Sequence, residues 1–373
     1  MNIVILYGGK SGEHEVSLVS ASSIVRNINR KKTVHLVGID RDGCWYLQNP
    51  AETDRIRRDP EAILSITRDE KMRVSAVPGG GIAGGFRTAQ GPLPCDAVFP
   101  VLHGTFGEDG TVQGLLDMAE IPYAGARVLS SAVSMDKEKT KEIWAYAGLP
   151  VVPWLCLRKS EWRDPERAER FMGEAEERFS WPLFVKPCSA GSSVGASKAG
   201  SREELKAALE EAFLWDNKAL VEAYIPAREI ECSVTGNSCN GIPAVYIPGE
   251  IIPSHEFYDY DAKYTDPDGA ALCIPAKIPQ EEIRRVQELA VKAYSALDVS
   301  GFARIDFFID RRDGDIYLNE INTIPGFTSI SMFPKMCEAG GLAYPDLIDM
   351  IIDLAVEDFG ASRALRTDRR GGA

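Results

Sequence analysis

The stretch from Arg304 to Asn322 constrains this chain most, because it reads as a hairpin that gathers metal- and anion-handling side chains on one face. Residues 305–309 and 316–321 are β-rich runs, and Arg311-Arg312-Asp313-Gly314-Asp315 between them supplies a turn. A register centred on Asp313 sets Asp306 opposite Glu320 and Arg304 opposite Asn322. These positions are all even-numbered, so the strand period of two puts them on the same side of the sheet. Two carboxylates and a carboxamide converging there form a hard, all-oxygen pocket suited to Mg²⁺, which shares its shell with waters and substrate phosphates. A nucleoside triphosphate is the substrate this implies. An isolated D…E-x-N pattern would more often be a solvated polar face. Here aromatic and aliphatic residues surround it, and Asn322-Thr-Ile-Pro-Gly326 follows at once as a turn whose N–H groups can point at an anion.

The 373 residues, 45% hydrophobic and 26% charged, suffice for a large core and two or three domains. A net charge of −13 argues against nucleic-acid or anionic-membrane partners, which need a basic field, so an anionic substrate must be held by a few local cations. No apolar run approaches the roughly 20 residues of a membrane span, and the N-terminus enters a strand-like NIVILYGG without a basic leader. A cytoplasmic location is expected. The eight cysteines have no paired short spacings, which gives no zinc or disulfide framework; Cys188, in a glycine-rich loop, is expected to be buried rather than reactive.

The fold class expected is α/β, becoming α+β in the C-terminal part. Residues 1–127 alternate strands and helices in the rhythm of an open parallel sheet, with 78–86 (PGGGIAGGF) as an exposed turn. A central unit, 128–227, opens on Ser134-Met-Asp-Lys137, with Ser134 as helix N-cap, and carries the loop 187–195. A C-terminal unit, 228–373, holds a polar and aromatic segment, 254–267, then a helix over 280–297, the hairpin, and a polar tail expected to fray after Arg366.

Several familiar motifs fail on spacing. Gly8-Gly9-Lys10-Ser11 ends like a phosphate-binding Walker loop, but Val4 stands where its first glycine belongs, and G-x-G-x-x-G is missing from the same stretch. Ser134-x-x-Lys137 lacks the Ser-Asp-Asn and Lys-Thr-Gly partners of a penicillin-recognising enzyme. His14-Glu15 has Leu18 where a zincin needs its second histidine.

A distributed set remains. Lys186 ends a strand before a Gly/Ser loop containing Ser192 and Ser193, whose backbone can close over phosphates without a side-chain clash. Lys137 is a second cation near a helix start. Glu222 and Glu229 flank Tyr224 in a linker able to offer polar groups and a ring to an adenosine. His103 follows an apolar strand at the carboxyl edge of the first sheet, in a glycine-rich loop that reads as open. Each of these, alone, is more often an ordinary loop, surface charge or structural histidine.

Taken in order, GGKSGEHEVSLVSA, LHGTFGEDG, SAVSMDKEKTK, KPCSAGSSVG, VEAYIPAREIECSV, HEFYDYDAKYTD, GFARIDFF and LNEINTIPGFTSISMFP resemble the ATP-grasp superfamily, and within it the D-alanine-D-alanine ligases, over nearly the whole chain. That resemblance implies ATP held between the central and C-terminal units. Lys137, Lys186 and Lys263 would hold phosphates, with Ser193 and Asn319 also at the nucleotide; Glu222, Tyr224 and Glu229 would hold adenine and ribose. Asp306, Glu320 and Asn322 would hold two Mg²⁺ ions, for which Mn²⁺ can substitute. It implies Glu15 at the first D-alanine's ammonium, and a chain Glu15–Ser192–Tyr264 closing the mobile loop 254–267. Ser331 with Lys263 would take the second carboxylate, Arg304 and the Gly326 N–H would form the oxyanion hole, and His103 would sit with the substrate residues. The activity implied is ligation of two D-alanines through an acyl phosphate, for peptidoglycan synthesis, by a homodimer whose partners are small molecules. A D-serine- or D-lactate-using ligase, or another ATP-grasp carboxylate–amine ligase, is the alternative. A nucleotide-binding regulator without catalysis would lack some metal ligands, and none is missing.

Overall fold

The computed structural model describes residues 1–237, 241–253, 270–328 and 330–366. The first third holds β1 (Asn2–Gly8), β2 (Thr33–Ile39), β3 (Trp45–Leu47), β4 (Ser75–Ala76), β5 (Phe86–Thr88), β6 (Gly91–Leu93) and β7 (Ala97–Val101). Its main sheet runs in the order β3-β2-β1-β7, with β1 parallel to both neighbours. Ile3, Val4, Ile5 and Leu6 are fully buried, as an uninterrupted apolar strand covered on both faces must be. Because β1 lies between β2 and β7, the connections leave it in opposite directions, and a crevice opens beyond the carboxyl ends of β1 and β7. Glu13 and His103 stand at that edge.

The central sheet contains β8 (Trp154–Arg158), β9 (Leu183–Pro187), β10 (Ser197–Ala199) and β11 (Lys218–Ala223), in the order β10-β9-β11-β8 with antiparallel pairing. The third sheet contains β12 (Ala227–Thr235), β13 (Ala244–Val245), β14 (Gly249–Pro253), β15 (Ala270–Cys273), β16 (Phe302–Asp310) and β17 (Ile316–Asn322). It runs β15-β14-β12-β16-β17, and β13 also pairs with β12.

The last helix, Tyr344–Arg363, folds back onto the first sheet: Leu347, Ile348, Ile351 and Ile352 share one core with Ile3, Ile5 and Phe99. Phe302, Phe327 and Phe333 fill the same core, with ring centroids of 5.5 Å for Phe302–Phe327 and 5.3 Å for Phe327–Phe333. The exit of the hairpin is thus cemented to the N-terminal sheet, although a division by sequence alone separates the two.

Some expectations change. Ser134 is buried inside the helix Val128–Met135, and the N-cap of the next helix, Lys137–Tyr146, is Asp136, whose carboxylate accepts from Lys139 N at 3.2 Å. The stretch 78–86 is not merely an exposed turn: it includes the short helix Gly81–Gly84 and ends on Phe86, which is fully buried at the start of β5. Cys188 is buried as expected. The segment 254–267 and the tail after Arg366 lie outside the described residues.

The hairpin keeps the expected pairs, Arg304 with Asn322 and Asp306 with Glu320. Beyond them a β-bulge shifts the register, so that Phe307 faces Leu318 and Asn319 becomes the extra residue. A bulge re-aims a side chain that strict alternation would send to the other face. Asn319 therefore reaches Lys186, at 3.1 Å from Oδ1 to Nζ, on the same side as Glu320.

Candidate active site

Between the three sheets lies a cavity of about 870 Å³. His103, Lys137, Ser192, Arg304, Glu320, Asn322, Gly326 and Ser331, all singled out from sequence, line it, and Glu15 sits on its rim.

The hairpin supplies the acidic wall. Arg304 donates from Nε and Nη2 to the two carboxylate oxygens of Asp306, each at 2.7 Å, and Asn322 Nδ2 donates to Asp306 Oδ2 at 2.9 Å. Glu231, on the neighbouring strand, lies 3.1 Å from Arg304 Nε. Burial works against the guanidinium charge, but Asp306 and Glu231 outweigh it and hold the Arg304 pKa well above its ordinary value. Glu320 pairs with Lys137 at 3.4 Å.

A second charged cluster adjoins the bulge. Glu222, 2% exposed, lies 2.7 Å from Lys141 Nζ and 2.8 Å from Lys186 Nζ. Burial raises the carboxyl's pKa, yet the two ammonium groups bring it below the usual range. Sequence reasoning missed Lys141, which is fully buried one helical turn after Lys137; its i, i+4 spacing from a proposed phosphate lysine was the available signal. Neighbouring hairpin residues thus each meet a lysine, Asn319 with Lys186 and Glu320 with Lys137.

The Gly/Ser loop closes the cavity from the central sheet. Lys137 Nζ donates to Ala190 O at 2.9 Å, and Asp216 Oδ2 accepts from Ser189 N at 2.7 Å. Ser192 and Ser193 take left-handed φ values of 50° and 59°, sparsely populated conformations of the kind that cluster at ligand clamps. Ser192 Oγ donates to Glu13 Oε1 at 2.5 Å.

That contact corrects the sequence reading, which chose Glu15. Glu15 is exposed on the first turn of the helix His14–Asn27 and pairs with Arg41 at 2.6 Å. Glu13 is the N-cap residue just before that helix, and it is the glutamate that meets the loop. A Cβ on Gly104, whose φ is +72°, would stand 2.6 Å from Glu13 Oε2, and one on Gly191 would stand 3.1 Å from it. The carboxylate thus occupies a slot that exists because both neighbours are glycine. Glu13 N donates to Ser11 Oγ at 3.2 Å, and Ser11 Oγ to His103 O at 2.7 Å.

His103 is not in an open loop. It is 5% exposed, its Nδ1 lies 2.8 Å from Ile324 O and its Nε2 3.1 Å from Ser20 Oγ, and burial lowers its pKa. Both ring nitrogens are used internally, so the ring ties β7 to the hairpin exit. Glu108 does the same: its carboxylate accepts from Gly104 N at 2.9 Å and from Ile324 N at 3.1 Å, and burial, then Glu13, raises its pKa to about 7.

At the far end, Ser331 stands just before the helix Met332–Ala339, and its Oγ lies 2.7 Å from Thr328 Oγ1 rather than on the helix's N–H groups. A Cβ on Gly326 would fall 2.9 Å from Ser331 Oγ. The remaining nucleotide candidates lie off the cavity wall. Glu229 is inside β12, opposite Phe308 and Ile251, rather than in a linker; Tyr224 carries Lys198 Nζ 4.6 Å from its ring centroid. Lys263 and Tyr264 lie outside the described residues.

Among the described residues no three His, Cys, Asp or Glu side chains form a closed metal cage. Glu320 and Asn322 nonetheless offer oxygen donors on the cavity wall, with Asp306 behind them in contact with Asn322, and both acids already draw cations. Such a partial set suits Mg²⁺, which completes its shell with water and phosphate.

An antiparallel sheet pair that closes lysines and a Gly/Ser loop over an acidic hairpin defines an ATP-grasp enzyme. The D-ala D-ala ligase N-terminus family matches residues 2–126 and the D-ala D-ala ligase C-terminus family residues 143–353. The chain belongs to the D-alanine–D-alanine ligase family. It is 57% identical to the D-alanine–D-alanine ligase of Treponema denticola, over 99% of this chain and 100% of that one. Among solved structures it is similar to the D-alanine–D-alanine ligase of Coxiella burnetii, with a TM-score of 0.81, 35% identity, and 98% and 96% of the two chains covered. It is also similar to the VanG D-Ala:D-Ser ligase of Enterococcus faecalis, with a TM-score of 0.80, 37% identity, and 95% and 99% covered.

Proposed function

We propose that this chain joins two D-alanine molecules into D-alanyl-D-alanine with conversion of ATP to ADP and phosphate, for peptidoglycan synthesis. The observation that carries the reading is the convergence of Lys137, Lys186, Arg304, Asp306, Glu320 and Asn322 about one bulged hairpin. A carboxylate has oxide as its leaving group, so it must first accept the γ-phosphoryl of ATP and become an acyl phosphate. That step is governed by positioning and charge neutralisation, which the two lysines supply. Asp306, Glu320 and Asn322 would hold two Mg²⁺, with Mn²⁺ able to replace them; bound there, the metal would neutralise charge on the phosphates.

Glu13 would receive the ammonium of the first D-alanine, and its bond to Ser192 would couple that event to the Gly/Ser loop. The second amine then attacks the acyl carbon, and the tetrahedral oxyanion would face Arg304 and the Gly326 N–H. Ser331 would take the second carboxylate with Lys263. Glu222, Tyr224 and Glu229 would hold adenine and ribose. Residues 1–127, 128–227 and 228–373 would act as three domains. A homodimer in the cytoplasm fits this reading; no described helix is long and apolar enough to cross a membrane.

The test is phosphate release from ATP with D-alanine, L-alanine or no amino acid, with dipeptide measured in the same samples. Release that requires D-alanine and matches dipeptide one to one is expected; release indifferent to the amino acid would overturn the reading. The likeness to a D-Ala:D-Ser ligase makes D-serine the second substrate to compare. A preference for D-serine over D-alanine at the second subsite would reassign it.

A further inference from the structure

We infer that Glu231 is a positioning residue, whose charge, paired with the Nε side of the Arg304 guanidinium, helps hold the other end toward the reacting atoms. The inference rests on the proposed ligation reading and adds to it a residue to which that reading gives no role.

Glu231 lies on β12 directly opposite Asp306 on β16. Like charges facing each other across adjacent strands are destabilising, so an acid pair at this register needs a cation between its members. Arg304 is that cation: its Nε is 2.7 Å from Asp306 Oδ1 and 3.1 Å from Glu231 Oε2, and its Nη2 is 2.7 Å from Asp306 Oδ2. The guanidinium is a rigid planar fork, so using its Nε–Nη2 edge fixes where Nη1 points. Glu231 and Arg304 both line the 870 Å³ cavity, and Glu231 is 6% exposed. Asp306 is itself a proposed metal ligand, whose charge is then shared with the ion. Glu231 is not among the proposed metal ligands, so its attraction for the guanidinium persists when Asp306 meets an ion.

The experiment is a double-mutant cycle on dipeptide formation by the full chain, with Glu231→Gln, Arg304→Met and the pair. Wild-type turnover is measured first, so failure of the ligation reading is seen independently. Glu231→Gln is expected to lower kcat by about 10- to 100-fold, the usual cost of losing a charged partner just outside the reacting groups, with the KM for ATP little changed. In the Arg304→Met background the same change should cost nothing further, because residues acting through one another are not additive. Glu231→Asp keeps the charge at shorter reach and should restore part of the loss, which also guards against a Gln variant that fails to fold. Full multiplicative losses in the pair, unchanged kcat in Glu231→Gln, or no recovery in Glu231→Asp would overturn the inference.

Discussion

The hairpin Phe302–Asn322 and the Glu13–Ser192 contact face the same cavity but are built in opposite ways. The hairpin brings Asp306 to Glu320 through a tight turn, where Gly314 N donates to Asp310 O at 2.9 Å, so local register determines the geometry. Glu13 and Ser192 are 179 positions apart and meet because separate sheets dock. A local device keeps its geometry while the fold stands, whereas a docked one depends on how those bodies sit. The comparison therefore predicts that damage to the hairpin acts on chemistry, and damage to the contact on substrate capture and closure.

The largest effect should come from Glu320→Gln. If Glu320 holds a metal ion as proposed, removing its charge should cost several kcal/mol at phosphoryl transfer, on the order of 10³-fold or more in turnover. The fold should persist, since Ile305, Phe307, Leu318 and Ile321 remain the buried side of the hairpin. Near-wild-type turnover at saturating Mg²⁺ would contradict the assignment.

Next come the two glutamates. Glu13→Gln should reduce kcat/KM for D-alanine by about 10²-fold, the scale of a lost orienting contact. Glu15→Gln breaks only an exposed pair with Arg41, worth ~0–1 kcal/mol, so it should stay within about 5-fold of wild type. The reverse ranking would restore Glu15 and break the comparison.

Smaller still is the pH effect of Glu108, whose carboxyl pKa rises from 4.5 to about 7 through burial and the nearby Glu13. In that window the folded state binds more protons than the unfolded one, so Glu108 contributes stability at low pH that is lost as pH rises toward 7. Thermal unfolding of wild type and Glu108→Gln across this range should show wild type losing ground as pH increases. Parallel curves would mean that Glu108 ionises normally.

The same contrast explains what could be read from sequence. Strand period and turn chemistry placed Arg304, Asp306, Glu320 and Asn322 correctly, because alternation is a local property. The bulge at Asn319 was invisible, since which residue is extra depends on the partner strand rather than on the residue itself. The expectation at Glu15 fails for a longer-range reason. Glu13, two positions earlier, is singled out only by its bond to Ser192 and by the glycine gaps at Gly104 and Gly191. His103 likewise reads as a loop residue until the hairpin exit packs against it, and Glu108 is held to the same exit. Lys141 and Glu231 were missed because their importance comes from what they touch.

The central claim, that the hairpin oxygens hold the divalent ions, is tested most directly by Mn²⁺ titration with bound ADP, followed by electron paramagnetic resonance, in wild type and Glu320→Gln. The account predicts Mn²⁺ binding at least about 10-fold weaker in the variant. Equal affinity in the two proteins would contradict it.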